Sequence, residues 1–207
     1  MAHLQVVHRV VCVADNFPKP TGSPAAPLVF LKDAQGAYGD GDLVRLPDSG
    51  DRYWGEPELG FVIAKRASRV PREAAAGFVD HYLIVNDVTR EGPAGHDHHL
   101  MYSKAFTGSL VLGRKAGPDF AAENAFIRGY QNGVLLREGA LSARLWDDLT
   151  LITWLSSWFV LERGDIIVTG APNRVRDRQY LQEGDQFVCE VAGIGTLVNR
   201  FTFRDGP

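Results

Sequence analysis

Short apolar or alternating runs, each bounded by Gly, Pro, Asn or Asp, recur along almost the whole chain and constrain its fold more than any other feature. Successive side chains of a strand point to opposite faces, so such runs between turn residues predict strands. We therefore predict a mainly β fold of the α+β class with a few short helices. The runs occupy 4–13, 28–32, 42–46, 57–65, 81–88, 108–113, 125–131, 134–137, 165–169, 185–191 and 196–203.

Three local patterns add detail to this strand-rich fold. Residues 71–77 begin with Pro and end in Gly, and residues 146–160 place apolar side chains at three- and four-residue spacing, so both segments are predicted to be helical. Asn132-Gly133 lies between two apolar runs and predicts a tight hairpin, because both residues tolerate positive φ. Pro, Gly and charged residues replace the apolar periodicity in 15–27, 91–99 and 171–180, which we expect to be mobile segments.

Composition limits the class of protein. The chain has 207 residues, of which 45% are hydrophobic and 23% charged, and its formal net charge is -3. That length fits one domain over 1–207, and the near-neutral charge lacks the basic excess that binds nucleic acid or anionic membranes. The apolar run 4–14 contains His8 and Arg9, and nothing approaches the roughly 20 apolar residues of a membrane span. We expect a cytoplasmic protein with neither nucleic-acid nor membrane partners.

The two cysteines indicate no familiar cysteine site. Cys12 and Cys189 lie far apart and form no Cys-x-x-Cys pair, so neither a zinc knuckle nor a redox motif is predicted. A single disulfide between them is left open.

Three carboxylates in apolar surroundings could form a cation site. Glu56 and Glu58 share one face of a strand, and the run after them is too apolar to be solvated. Asp87 ends another apolar run, where an unpaired carboxylate would be costly to bury. The simpler interpretation is that Glu56 and Glu58 lie at a strand end and point into water, and that Asp87 is an ordinary turn or helix-capping residue. If the three converge, they form a hard oxygen site of the kind that Mg²⁺ or Mn²⁺ prefers.

Five motifs in a fixed order resemble the fumarylacetoacetate hydrolase superfamily, in particular its short single-domain members. That group includes acylpyruvases, fumarylpyruvate hydrolases, oxaloacetate decarboxylases and the isomerase/decarboxylases of homoprotocatechuate breakdown. The motifs are Glu56-Pro57-Glu58-Leu59, Asn86-Asp87-Val88-Thr89, Ser103-Lys104-Ala105-Phe106, the run from Gly164 to Pro172 (GDIIVTGAP), and Gly184-Asp185 followed by the run from Gly193 to Asn199.

The resemblance implies a mixed β-roll or β-sandwich, usually a homodimer, that binds Mg²⁺ or Mn²⁺ through Glu56, Glu58 and Asp87. It implies a small 2-oxo acid substrate, with Lys104 and Thr169 in the catalytic site. Arg90 and Lys32 are expected to bind substrate, although Arg90 fits a structural salt bridge equally well.

The sequence departs from the family's hydrolases in a lid-like segment. In those enzymes a lid His and Glu activate water, but residues 15–27 contain neither. Thr107 also stands where the family carries an acid. His96, Asp97, His98 and His99 could supply a substitute base, although a solvated loop is the preferred interpretation.

Three functional hypotheses follow. The first is a metal-dependent enzyme that cleaves a C–C bond of a small 2-oxo acid, an acylpyruvate or oxo-dicarboxylate, by decarboxylation or hydrolysis through a metal-bound enolate. The second is an isomerase or tautomerase on the same scaffold. The third is a catalytically silent metal- or ligand-binding member of the family. The four tryptophans, Trp54, Trp146, Trp154 and Trp158, are interpreted as core or subunit-interface residues.

Overall fold

The computed structural model describes residues 9–92 and 97–205, and strands dominate them. Two α-helices are present in this part of the chain, Met101–Lys104 (α1) and Asp148–Trp158 (α2). The strands are Val10–Ala14 (β1), Leu28–Lys32 (β2), Tyr38–Gly39 (β3), Leu43–Asp48 (β4), Tyr53–Trp54 (β5), Pro57–Ile63 (β6), Val79–Asp87 (β7), Thr89–Arg90 (β8), Leu110–Ala116 (β9), Phe126–Gln131 (β10), Val134–Ala140 (β11), Ile166–Val168 (β12), Gln186–Val191 (β13) and Gly195–Asp205 (β14).

The strands form two large mixed sheets and one small ribbon. The first sheet has seven strands in the order β2-β1-β12-β6-β7-β9-β3, and the second has five in the order β11-β10-β13-β14-β4. Strands β5 and β8 form the ribbon. The pairs β1-β12, β3-β9 and β4-β14 are parallel and the remaining pairs are antiparallel. The predicted mainly β architecture with mixed sheets is confirmed.

The main hydrophobic core lies between the two large sheets. Phe61 and Ile84 of the seven-stranded sheet and Ile127 and Phe187 of the five-stranded sheet belong to one buried cluster. A second buried cluster, which includes Val10 of β1, covers the opposite face of the seven-stranded sheet. Both faces of that sheet are therefore apolar, which explains why its strands read as nearly continuous hydrophobic runs.

The helix predictions hold in part. Helix α2 begins two residues later than predicted, after Asp147, whose side chain accepts a hydrogen bond from the Thr150 N–H and caps the helix. Arg72–Phe78 is a 3₁₀ helix rather than an α-helix. Trp158, expected in a core or an interface, is 70% exposed in the chain as described.

Other local predictions can be compared directly. Asn132 and Gly133 take φ values of 50° and 80° and join β10 to β11, so the predicted hairpin is confirmed. Cys12 and Cys189 are buried free thiols, which closes the disulfide alternative. Of the predicted run 4–13, residues 4–8 lie outside the described part. Among the described residues, no helix combines the length and the apolar character needed to cross a membrane.

Candidate metal centre and active-site cavity

The antiparallel pairing of β6 and β7 brings the three predicted metal ligands together. Glu58 lies opposite Val85 in the register, and the Asp87 N–H donates a 2.9 Å hydrogen bond to the Glu56 carbonyl. The Asn86 side chain accepts the Glu56 N–H, which fixes the turn into β6. As a result, one carboxylate oxygen from each of Glu56, Glu58 and Asp87 lies within 4.8 Å of the other two.

Glu56 and Glu58 occupy opposite electrostatic environments. Burial raises the pKa of Glu56, but attraction from Lys104 and Arg137 outweighs it and holds that pKa well below its ordinary value. Burial raises the pKa of Glu58 well above its ordinary value, and the neighbouring charge of Asp87 adds to the shift. The Glu58 Oε2 atom accepts a 2.5 Å hydrogen bond from the Gly170 N–H. Of the two carboxyl groups, Glu58 therefore has the higher pKa.

Lys104 faces the same cluster from helix α1. Its ammonium donates 2.8 Å hydrogen bonds to Glu56 and to Asp87, and a 2.6 Å hydrogen bond to the Thr89 hydroxyl. Burial lowers the pKa of Lys104, but the attraction of Asp87, Glu56 and Glu58 outweighs it and holds that pKa well above its ordinary value. Lys104 therefore remains a cation, suited to stabilise negative charge rather than to accept a proton.

Lys32 lies behind Asp87 and not on the cavity surface. Its side chain is 0% exposed, and its ammonium lies 2.7 Å from Asp87 Oδ1. The same ammonium donates to the carbonyls of Val88, Lys104 and Ser109. The expected contact between Lys32 and substrate does not fit this position. Lys32 instead holds Asp87 in place and ties together the segments around it.

Thr169 is also placed differently from expectation. It is fully buried, and its hydroxyl donates a 2.8 Å hydrogen bond to the Leu59 carbonyl. The next residue, Gly170, has a φ of +94°, and a side chain there would meet Asn16 and the Val13 carbonyl at 2.9 Å. This run therefore reaches the site through the Gly170 backbone N–H, which needs glycine, while Thr169 fixes the run to β6.

The residues present fit a divalent cation. The three side chains offer only oxygen donors, which are the ligands that Mg²⁺ and Mn²⁺ prefer. Although Asp87 Oδ1 lies close to Lys32, it accepts no well-aligned hydrogen bond from any described residue, so a lone pair remains free. We call Glu56, Glu58, Asp87, Lys32 and Lys104 the carboxylate floor.

A cavity of about 1030 Å³ opens above the carboxylate floor. The lid-like segment 15–27 contributes Asp15, Phe17 and Lys19 to its lining, and Asp15 is paired with Lys19. His98 also lines the cavity, although its side chain is exposed. His96 lies outside the described residues. The role of His98 as a substitute base stays a prediction.

Arg90 lies on the cavity wall but is already engaged. Its guanidinium donates to the Tyr102 carbonyl at 2.7 and 3.0 Å, stacks over the Tyr102 ring and lies 3.6 Å from Asp51. The structural interpretation of Arg90 fits these contacts, and its binding of substrate stays a prediction. Thr107 is exposed and is absent from the cavity lining.

The sequence analysis did not assign Arg137, Trp54 or Arg178 to the cavity. Arg137 of β11 donates a 2.5 Å hydrogen bond to Glu56 Oε1 and a 2.7 Å hydrogen bond to the Pro172 carbonyl. Trp54, interpreted from sequence as a core or interface residue, lines the cavity and stacks against Arg178. No local pattern marks these residues, because separate segments bring them to the site.

A comparison with protein families accounts for the whole arrangement. The model described as fumarylacetoacetate (FAA) hydrolase C-terminal matches residues 2–202. The chain belongs to the fumarylacetoacetate hydrolase family.

Relatives in this family include enzymes that act on oxo acids. The chain is 32% identical over 188 residues to the 4-hydroxyphenylacetate degradation bifunctional isomerase/decarboxylase of Escherichia coli, which covers 88% of this chain and 43% of the relative. It is 29% identical over 206 residues to a mitochondrial oxaloacetate tautomerase of Bos taurus, which covers 93% of this chain and 66% of the relative. The chain thus spans less than half of the first relative and about two thirds of the second.

A solved structure confirms the fold. The 5-carboxymethyl-2-hydroxymuconate delta-isomerase of Mycobacterium smegmatis superposes with a TM-score of 0.87 at 29% identity. The match covers 96% of this chain and 80% of that one. The predicted family and fold are therefore both confirmed.

Proposed function

We propose that this protein is a divalent-metal-dependent enzyme that acts on a small 2-oxo acid and cleaves a C–C bond by decarboxylation. The observation that carries the proposal is the convergence of Glu56, Glu58 and Asp87 within 4.8 Å, with the Lys104 ammonium beside them. Buried carboxylates are costly unless a cation compensates them, and Lys104 alone leaves the raised pKa of Glu58 in place.

The chain's own residues supply the remaining chemistry. When bound, a divalent cation provides a Lewis acid that polarises a substrate carbonyl. Lys104 adds a fixed positive charge where negative charge develops on the substrate oxygen as the C–C bond breaks. Thr89 holds the Lys104 ammonium in place, and Arg137 orients Glu56. Phe17 of the lid-like segment adds an apolar side chain to the cavity lining.

The composition of the lid-like segment favours decarboxylation over hydrolysis. Hydrolysis needs a general base within reach of a water molecule, and segment 15–27 offers only Asp15 as a titratable acid, which is paired with Lys19. Decarboxylation needs no activated water, because the electron pair of the breaking C–C bond moves to the ketone oxygen, carbon dioxide leaves, and the enolate takes a proton from solvent.

An isomerase or tautomerase is the second candidate. Like decarboxylation, it needs no activated water, and the similar proteins include an oxaloacetate tautomerase and a delta-isomerase. A homodimer and a cytoplasmic location stay predictions.

Product analysis with oxaloacetate tests both candidates. The protein would be loaded with Mg²⁺ or Mn²⁺, or stripped with a chelator, and pyruvate, carbon dioxide and the keto and enol forms would be followed by NMR. Metal-dependent release of pyruvate and carbon dioxide supports the decarboxylase. Faster keto–enol exchange without pyruvate supports the tautomerase instead.

A Lys104 variant ties the reaction to the site. We expect Lys104→Met to lower kcat by about 10²- to 10³-fold, because it removes the positive charge beside the oxygen on which negative charge develops. Glu123→Gln, at an exposed position outside the cavity, is the matched surface control. Metal-independent turnover, or full activity of Lys104→Met, would contradict the proposal.

A further inference from the structure

The segment from Ala171 to Tyr180 carries three arginines, of which two line the cavity and one does not. Val175 donates a 2.9 Å hydrogen bond to the Leu136 carbonyl, and Arg174 lies in a bridge opposite Arg137. This pairing against β11 brings Arg174 and Arg178 to the cavity lining, whereas Arg176 is exposed and absent from that lining. We call Arg174 and Arg178 the arginine wall.

Arg178 is held in position but has no polar partner. Its guanidinium carbon lies 3.6 Å from the centre of a Trp54 ring, a stacked cation–π contact. Among the described residues its side chain makes no hydrogen bond and no ion pair, and its Nε is buried without a partner. Because the described residues supply no acceptor, the Arg178 guanidinium keeps its hydrogen-bonding capacity for an anionic group that enters the cavity.

Arg137 and Arg90 also line the cavity but, unlike Arg178, have polar partners. Arg137 is bound to Glu56 and to the Pro172 carbonyl, and Arg90 is bound to the Tyr102 carbonyl. The acids of the cavity lining outside the carboxylate floor are also engaged. Asp15 pairs with Lys19, and Asp97 accepts the backbone N–H groups of Tyr102 and Ser103. No described acid therefore neutralises the arginine wall.

The arginine wall lies close to the carboxylate floor. Trp54, on which Arg178 stacks, precedes Glu56 by two residues, and two residues span at most about 7 Å of chain. Arg178 and the three carboxylates line the same cavity, so one ligand in that cavity could contact both.

We propose that Arg178, supported by Trp54 and Arg174, forms a subsite for a second anionic group of the substrate, at the end remote from the 2-oxo acid. This assignment rests on the proposed function, since it takes the carboxylate floor as the anchor of the 2-oxo acid. Carboxylate and phosphonate groups share the required chemistry, because both accept charge-assisted hydrogen bonds from a guanidinium.

Matched ligand pairs test the subsite by binding rather than by turnover. Isothermal titration of the Mg²⁺-loaded protein would compare 2-oxoglutarate with 2-oxovalerate and 2-oxoadipate with 2-oxohexanoate, which differ in the distal carboxylate. A third pair, 3-phosphonopyruvate with 2-oxobutyrate, tests a distal phosphonate. In at least one pair, we expect the ligand that carries the distal anionic group to bind roughly 10-fold tighter, or more, than the ligand that lacks it. The pair with the largest ratio of Kd values identifies the preferred distal anion and its distance from the 2-oxo acid group.

Variants assign the effect to Arg178. Arg178→Gln should reduce the ratio of the two Kd values in that pair to within about threefold of unity. The same variant should leave the Kd of oxalate unchanged, because oxalate fits the carboxylate floor alone. Arg178→Lys should retain part of the ratio, and unchanged melting temperatures show that both variants fold. Arg176→Gln is the control from the same segment and should behave like the parent protein.

The outcomes separate this inference from the proposed function. If oxalate binds with metal but no pair shows a preference, or if the preference survives Arg178→Gln, the subsite is wrong and the proposed function stands. If oxalate does not bind the metal-loaded protein at all, the proposed function fails and the subsite fails with it.

Discussion

The carboxylate floor and the arginine wall line one cavity, yet their charges are balanced in different ways. On the floor, Asp87 lies between the Lys32 and Lys104 ammonium groups, each of which has further partners. On the wall, Arg178 has a stacking partner and, among the described residues, no counterion. The ion pairs of Asp87 form without ligand and contribute to the stability of the folded state, whereas the unpaired charge of Arg178 contributes when an anion binds. Substitutions should therefore act on stability at the floor and on ligand selection at the wall.

The largest expected effect is on the floor, at Lys32. Replacing Lys32 by Met leaves Asp87 without one of its two ammonium partners and leaves three carbonyls without their shared donor. Breaking a buried ion pair from one side costs about 3–5 kcal/mol, so the free energy of unfolding should fall by that amount. Urea denaturation measures it, with exposed Lys115→Met as the control. A loss below about 1 kcal/mol would show that the floor is not the stabilising region.

The next effect is on metal affinity. Glu58→Gln keeps an acceptor for the Gly170 N–H but removes a charged ligand, so Mn²⁺ should bind about 100-fold more weakly or worse. Burial and the charge of Asp87 raise the pKa of Glu58, so metal must displace a proton and its affinity should increase with pH. Calorimetry at several pH values checks both points, and Glu58→Gln should lose this pH dependence. Equal affinity in the variant would remove Glu58 from the ligand set.

A smaller effect is expected at Thr169, where a substitution tests whether the side chain supports the fold or contacts substrate. Thr169→Val keeps the shape and removes the hydroxyl bonded to the Leu59 carbonyl, so we expect a stability loss of about 1 kcal/mol with KM unchanged. Denaturation and steady-state kinetics separate the two readouts. A raised KM at unchanged stability would instead support the substrate contact that the family resemblance implies.

The smallest effect is expected on the wall itself. Arg174 is exposed and makes no side-chain hydrogen bond or ion pair with the described residues, so Arg174→Gln should change the free energy of unfolding by less than about 0.5 kcal/mol. Denaturation alongside Lys32→Met gives the direct contrast between wall and floor. A loss comparable to that of Lys32→Met would mean that the two regions do not differ.

Much of the fold could be predicted from local sequence. The alternating runs predicted the strands, and Asn132-Gly133 predicted the β10–β11 hairpin, because both depend on the preferences of neighbouring residues. The two-residue strands β3, β5 and β8 were missed, since they are too short to show a period. Arg72–Phe78 was predicted as a helix from its end residues, but seven residues between strands take the tighter 3₁₀ form.

For the site, too, some residues could be predicted from local motifs and others only from the tertiary structure. By itself, the sequence determined the family and the carboxylate trio, because ordered motifs record residue types at fixed spacing. Only the tertiary structure decided that Lys32 and Thr169 are buried supports, and that Arg137, Trp54 and Arg178 line the cavity. Residues 54, 137 and 178 meet through strand and loop pairings between distant segments, and sequence spacing carries no information about those distances.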